Sequence, residues 1–376
     1  VMFSGYVMFR HFANWGFSCL YSFNRQAIFP RIVQGCSKFT IFAKMATNSK
    51  QTNPLVGIIS KYFLMDSASM DELTKHCPSA SFVQIKDTDI SPERLQDLEI
   101  VIADPVLISK WLYKLPKVKW MQSTFAGLNH IFEDIAVDKP FPPFILTRLG
   151  DVFGPIMSEY VIGHIIARER KFALSWKYQQ SKEWVWWEKL VYRELSELTI
   201  GILGFGEIGQ EIGRCCHSMR MTVNSIHRSI PATKSSFVHE CFSVQDLAEC
   251  LKGCDYLCNV LPSTPSTKGL LSGDVLENCK EKKTVLINIG RGDVISSSSI
   301  LKALDNQWIG GAILDVFEDE PLSKDSALWT HPQVTITPHV SGLGTSTQVM
   351  GVFLENYERY KAGEPMKHVV NWSKGY

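Results

Sequence analysis

From Pro54 onward, short apolar runs alternate with stretches whose apolar residues recur every three or four positions. Runs of that kind predict buried strands, and the i, i+3, i+4 spacing predicts helices between them. Strands are expected at 55–59, 82–85, 100–103, 119–122 and 144–147. One long helix is expected over about 155–180. Pro155 suits its first turn, where a missing N–H costs nothing, and Met157, Tyr160, Val161, His164, Ile165 and Arg168 share one stripe. A second array follows, with strands at 199–203, 221–226, 256–261, 284–289, 311–314 and 335–337, and a last helix over about 346–362. This alternation implies an α/β fold of two doubly wound, mostly parallel sheets covered on both faces.

The length, 376 residues, also suits two domains. The last helix is expected to return to the first of them, which makes that domain discontinuous: residues 51–150 with 345–376, against 151–344 for the second. The first 44 residues differ from the rest. They carry Arg10, Arg25, Arg31, Lys38 and Lys44 and no Asp or Glu, a composition that resembles a mitochondrial transit peptide. Upstream sequence that is never translated, with Met45 as the start, is the other reading. Residues 1–50 are therefore set apart as a leader. The expected location is cytoplasmic, or mitochondrial if the leader is genuine.

Composition narrows the function classes. Apolar residues make up 45% and charged residues 20%, as in a globular enzyme. The net charge of +1, with no long basic run, argues against nucleic acid or an anionic membrane as partner. The ten cysteines form no C-x-x-C pair. Cys250, Cys254 and Cys258 are four apart, but Gly253 and Asp255 should break a helix there. Buried reduced thiols are expected, and no metal site. EWVWW (183–187) puts three tryptophans in four residues, which suggests a subunit contact and hence a homodimer.

Two patterns carry chemistry. In the first, the apolar strand at 199–203 runs into a G-x-G-x-x-G turn made by Gly204, Gly206 and Gly209, with Glu207 and Ile208 opening a helix. The glycines allow a tight turn, close approach of a pyrophosphate, and close packing of helix on strand. The helix N-terminus offers free N–H groups to phosphates. A dinucleotide is the expected ligand. Nineteen residues after Gly209, where a carboxylate would hold an NAD ribose, the chain has Arg228 and Ser229. Arg228 offers a planar fork to a 2′-phosphate, so NADPH is preferred, with NADH the alternative.

In the second, polar residues follow strand ends, the edge where α/β sheets bind ligands. Arg291 ends the strand at 284–289 and can hold a carboxylate and a neighbouring carbonyl oxygen. His339 follows Pro338 at the end of another strand. Glu318, Asp319 and Glu320 sit in a third strand-end loop, and a carboxylate beside the imidazole would favour its protonated form. These residues cannot by themselves say which carboxylate it is. An anion clamp, an acid/base and a dinucleotide turn together point to hydride transfer to a small keto acid.

In order, ILGFGEIG (202–209), LPSTPSTKG (261–269), INIGRGDVI (287–295), GAILDVFEDEPL (311–322) and TPHVSG (337–342) resemble the D-2-hydroxyacid dehydrogenase family, over about residues 54–376. SEYVIGHIIARERKF (158–172), ALWTHPQVTITPHV (327–340) and the terminal KGY are similar to its glyoxylate/hydroxypyruvate reductase A branch. The resemblance implies a flavodoxin-like substrate domain and a Rossmann domain with the active site in the cleft between them. It implies Arg291 as substrate anchor, His339 as acid/base and Glu320 as the carboxylate that tunes it. STFAGLN (123–129) matches the family's substrate loop, with N–H groups near Ala126 and Gly127 on the substrate carboxylate. Pro262, Thr267, Ile289 and Asp315 match positions that line the cofactor. Trp187, or else Trp184, matches a residue lent across a dimer to cap the neighbouring site; tryptophans simply packed in the interface are the other reading.

The implied activity is NADPH-dependent reduction of glyoxylate to glycolate and hydroxypyruvate to glycerate. Two alternatives stand beside it: a dinucleotide-sensing, corepressor-like scaffold on the same fold, and a dehydrogenase for a bulkier 2-keto acid.

Overall fold

A computed structural model of the protein describes residues 53–63, 67–373 and 375, and the leader expected at 1–50 lies outside them. Two all-parallel sheets organise the chain. The first contains β1 (Leu55–Ile59), β2 (Ser81–Gln84), β3 (Ile100–Ala103), β4 (Trp120–Ser123) and β5 (Ile145–Thr147), in the order β2-β1-β3-β4-β5. The second contains β6 (Thr199–Leu203), β7 (Thr222–His227), β8 (Glu240–Ser243), β9 (Tyr256–Asn259), β10 (Val285–Asn288), β11 (Gly311–Leu314) and β12 (Val334–Ile336). Its order is β12-β11-β10-β9-β6-β7-β8.

Every residue of β3, β4, β9, β10 and β11 is buried, as expected of parallel strands covered on both faces. The expected strands all form, with ends that differ by no more than two residues. One strand, β8, was not expected. Its sequence ECFS has no apolar run, and it forms because β7 offers it a free edge, pairing Asn224 with Glu240 through His227 with Ser243.

The single helix expected over 155–180 is instead two, Phe153–Glu169 and Phe172–Ser181. Lys171 sits between them in the left-handed region at φ 53. The Arg170 and Lys171 N–H groups turn back to the carbonyls of Ile166 and Arg168. The apolar stripe explains the break. Met157, Val161 and Ile165 are buried, whereas no residue of Phe172–Ser181 is, so nothing holds the helix on the core beyond Glu169.

The helix Phe153–Glu169 lies against the helix Glu207–Ser218 that follows the glycine turn. The last helix, Ser346–Ala362, opens with a Thr345–Gln348 capping box and stops at Gly363. It packs on the first sheet: fully buried Phe353 stacks on Trp120 with ring centroids 5.1 Å apart. Beyond it, 368–370 runs antiparallel along β5.

The described cysteines are all free. Cys250 ends up in the helix Leu247–Gly253, Cys254 just past it and Cys258 in β9. The contact with Cys250 and burial push the Cys254 thiol well above its ordinary value, so it stays protonated. Among the described residues no helix is long and apolar enough to cross a membrane.

Candidate active site

All strands of the second sheet are parallel, so their C-terminal ends open on one edge. The glycine turn leaves β6 there, Arg291 follows β10, Asp315–Glu320 follows β11 and His339 follows β12. The strand order reverses between β6 and β9, the switch point where such sheets bind ligands.

Gly204 has φ +98, a backbone open to glycine. A Cβ on Gly209 would overlap the Gly204 carbonyl, so helix and turn are in direct contact. At Gly206 nothing beyond the adjoining chain lies within 4 Å of where a Cβ would be, so that space is open to a ligand. The helix Glu207–Ser218 presents its first N–H groups there. These features fit a dinucleotide pyrophosphate. Arg228 and Ser229 are exposed just past the end of β7. Pro262 is exposed, and its carbonyl accepts from Thr267 Oγ1 at 2.6 Å, which fixes the turn after β9. Ile289 is 3% exposed, at the end of β10.

Two residues expected to line a cofactor have their side chains engaged elsewhere. The Glu207 carboxylate is tied to Arg148 at 3.1 Å and to the Asp151 N–H. Asp315 is fully buried, and its carboxylate accepts from Thr337 Oγ1 (2.5 Å), Val340 N–H (2.9 Å) and Ser341 N–H (2.9 Å). Its own carbonyl accepts the His339 N–H at 2.9 Å. Asp315 is thus the buried anchor of the loop that carries His339, which sits at φ 55. Tyr160 closes this network on Thr337 Oγ1 at 2.6 Å, and burial pushes its hydroxyl up to about 12.

The choice among the three carboxylates is decided by contact. Glu318 accepts from the Ser297 N–H at 2.7 Å, at the start of the helix Ser297–Asp305. Asp319 is exposed. Glu320 Oε2 lies 2.7 Å from His339 Nδ1, and Oε1 accepts the Phe317 N–H at 3.0 Å. Burial opposes ionisation of Glu320. The hydrogen bonds from His339 and Phe317 and the nearby Arg291 outweigh it and hold the carboxyl below its usual range. The stabilisation from that pairing is present above about pH 4.3, and it is lost as pH falls through the lowered Glu320 value.

Arg291 reaches from the second sheet to the first. Its Nε donates to Asn129 Oδ1 at 3.1 Å and its Nη1 to the Gly290 carbonyl at 2.7 Å. A Cβ on Gly127 would overlap its Nη2, so guanidinium and substrate loop are in direct contact. Burial pushes the guanidinium down from its usual value, against the pull of Glu320 and Asp293. It stays charged at neutral pH. Under the loop, Asp104 accepts from Ser60, the Lys61 N–H and Thr124, which ties the ends of β1 and β4 together. Ala126 and Gly127 are both partly buried. Asn129, Thr337 and Tyr160 had not been singled out for the site. Asn129 at the end of STFAGLN and Thr337 before Pro338 were the available signals.

Trp184, Trp186 and Trp187 are 92%, 72% and 71% exposed in the single chain.

The same fold recurs in solved structures. A protein from Aeromonas salmonicida subsp. salmonicida, described as a D-isomer specific 2-hydroxyacid dehydrogenase family protein, is 30% identical. The match covers 85% of this chain and 99% of that one, with a TM-score of 0.75. The chain belongs to the D-2-hydroxyacid dehydrogenase family. The profile "D-isomer specific 2-hydroxyacid dehydrogenase, NAD binding domain" matches residues 162–341 of this dehydrogenase. It is an oxidoreductase with a nicotinamide-dinucleotide-binding domain. Also similar is an NADPH-dependent glyoxylate/hydroxypyruvate reductase from Sinorhizobium meliloti, solved with NADP and sulfate. It is 27% identical, with 86% of this chain and 100% of that one covered and a TM-score of 0.71. A Rhizobium etli protein described as a "Probable 2-hydroxyacid dehydrogenase", solved with NADP, HEPES and L(+)-tartaric acid, is 26% identical. There the coverage is 86% and 100% and the TM-score 0.73.

Proposed function

We propose that this dehydrogenase reduces small 2-keto acids with NADPH, glyoxylate to glycolate and hydroxypyruvate to glycerate, as a homodimer. The main support is that an arginine held against the substrate loop, a histidine–carboxylate pair on which that arginine acts electrostatically, and a dinucleotide turn all leave the same edge of one parallel sheet. Residues 51–150 with 345–376 serve as the substrate lobe and 151–344 as the nucleotide lobe. When bound, the reduced nicotinamide supplies the hydride. Arg291 and the N–H groups near Ala126 and Gly127 hold the substrate carboxylate and orient its carbonyl. Glu320 engages Nδ1 of His339, which leaves Nε2 to give a proton to the carbonyl oxygen, or to take it back in reverse. Asp315 keeps that histidine in place. Trp187 of a second copy covers the neighbouring site.

The direct test is NADPH oxidation at 340 nm with glyoxylate, hydroxypyruvate, pyruvate and phenylpyruvate side by side. Turnover is expected to be greatest with the first two. Dinucleotide binding without turnover of any of them would point to a scaffold, and preference for phenylpyruvate to a bulkier substrate.

The preference for NADPH rests on Arg228 standing at the sequence position where an NAD-specific fold carries an acid. It is supported by the NADP bound in the Sinorhizobium relative. Arg228→Ala is expected to raise KM for NADPH about 10- to 100-fold, the size of one or two charge-assisted hydrogen bonds, and to change KM for NADH far less. Equal effects on the two cofactors would remove the basis for the preference.

A further inference from the structure

The first helical residue after the glycine turn is an acid. Glu207 follows Gly206, at the N-terminus where a dinucleotide places its two negative phosphates. A carboxylate free at that place would repel them. Here it is bound by the segment that joins the two sheets and by the C-terminal segment that runs along β5. Arg148 Nη2 lies 3.1 Å from Oε2, His368 Nδ1 lies 3.8 Å from the same oxygen, and the Asp151 N–H donates to Oε1.

The holders are themselves held. The Arg148 N–H donates to the His368 carbonyl at 3.0 Å, and His368 Nε2 lies 3.0 Å from Asp151 Oδ2. Asp151 and His368 both have left-handed backbones, at φ 60 and 54, which non-glycine residues keep only when their surroundings enforce it. Lys367 Nζ is 3.7 Å from Asp151 Oδ2. Asp151, Glu207 and His368 bring three possible metal-ligand atoms within 4.8 Å of one another. Arg148 pairs with Glu207, and Lys367 reaches both Asp151 and, more closely at 2.7 Å, Glu355, so the group is an ion-pair cluster.

We propose that Arg148 is a positioning residue for the cofactor turn: it neutralises Glu207 and holds its carboxylate clear of the dinucleotide phosphates. This rests on the turn binding a nicotinamide dinucleotide. It also gives the linker between the lobes a direct hold on the cofactor turn. Arg148 acts on the phosphates common to both cofactors, so its loss affects NADPH and NADH alike, unlike loss of Arg228.

The test is a double-substitution cycle, read by fluorescence titration with NADPH and with NADH and by steady-state kinetics. Arg148→Ala should weaken both cofactors about tenfold, with the change in KM for cofactor rather than in kcat. Adding Glu207→Gln should restore binding to within about threefold of wild type, because the repelling charge is gone. Arg148→Lys, which keeps the charge, should bind within the same range. A double variant as weak as Arg148→Ala alone, with wild type binding normally, overturns the proposal and leaves the cofactor reading standing. A wild type that binds neither dinucleotide overturns both. If Arg148→Ala does not fold, Arg148→Gln with and without Glu207→Gln carries the same comparison.

Discussion

His339→Gln is expected to lower kcat for 2-keto acid reduction by about 10²- to 10⁴-fold, the usual contribution of a placed general acid. NADPH affinity should stay within about threefold, because the glycine turn lies on β6 and the histidine on the β12 loop. Glutamine can still accept or donate at one position, so the pairing with Glu320 is not replaced by an empty space. What it lacks is a proton that can leave at neutral pH. Steady-state kinetics beside a binding titration separate the two effects. An enzyme that keeps more than a tenth of its turnover would refute the proposed role. Loss of binding together with turnover would mean that the β12 loop had been disturbed instead. Glu320→Gln should give a smaller loss, because it leaves the imidazole in place and removes only the carboxylate that orients Nδ1.

Arg291→Lys is expected to lower kcat/KM for glyoxylate about 10²-fold, mostly through KM. The guanidinium is planar and already directed by Asn129 and the Gly290 carbonyl. A lysine ammonium keeps the charge but cannot span a carboxylate and a carbonyl oxygen in one plane. Losing about two charge-assisted hydrogen bonds at 1.5–3 kcal/mol each accounts for at least that factor. Gly127→Ala provides an independent check. The added methyl would overlap Nη2 of Arg291, so it displaces the fork without changing any charge. It should raise KM in the same direction. Wild-type kinetics in both variants would show that Arg291 does not anchor the substrate.

Both predictions concern residues that stand out in the sequence for local reasons. Arg291 follows an apolar strand and precedes a glycine, and His339 follows a proline at a strand end. A strand that must be buried on both faces shows as an unbroken apolar run, so the residue after it is legible as a loop residue at the ligand edge. The glycine turn is legible for the same kind of reason. Gly204 needs its backbone angle and Gly209 its lack of a side chain, whatever surrounds them.

Other features had no local signature. Glu318, Asp319 and Glu320 are consecutive acids in one loop, and periodicity cannot rank them. Their different partners, Ser297 for one and His339 for another, come from separate elements that only the folded chain brings near. The position of Asp315 at the end of β11 was plain, but its task was not, because the loop it anchors starts 22 residues later, at Thr337. The break at Lys171 was hidden because the sequence there has neither glycine nor proline. The helix ends where buried contacts end. The edge strand β8 exists because β7 has an unpaired side, a property of the sheet and not of ECFS.

By itself, then, the sequence determined two parallel-sheet units, the dinucleotide turn, the family, and which strand ends carry an arginine and a histidine. The family was read from the order of the motifs along the chain; the rest follow from burial on two faces and from backbone geometry, and both act over a few residues. The family resemblance pointed to Glu320, and the tertiary structure supplied the contact by which it meets His339; the tertiary structure alone decided that Asn129 and Gly127 seat Arg291 and that Arg148 restrains Glu207. Those are contacts between residues 19 to 164 positions apart. Their geometry depends on how the two sheets and their linker come together, and no local pattern records it.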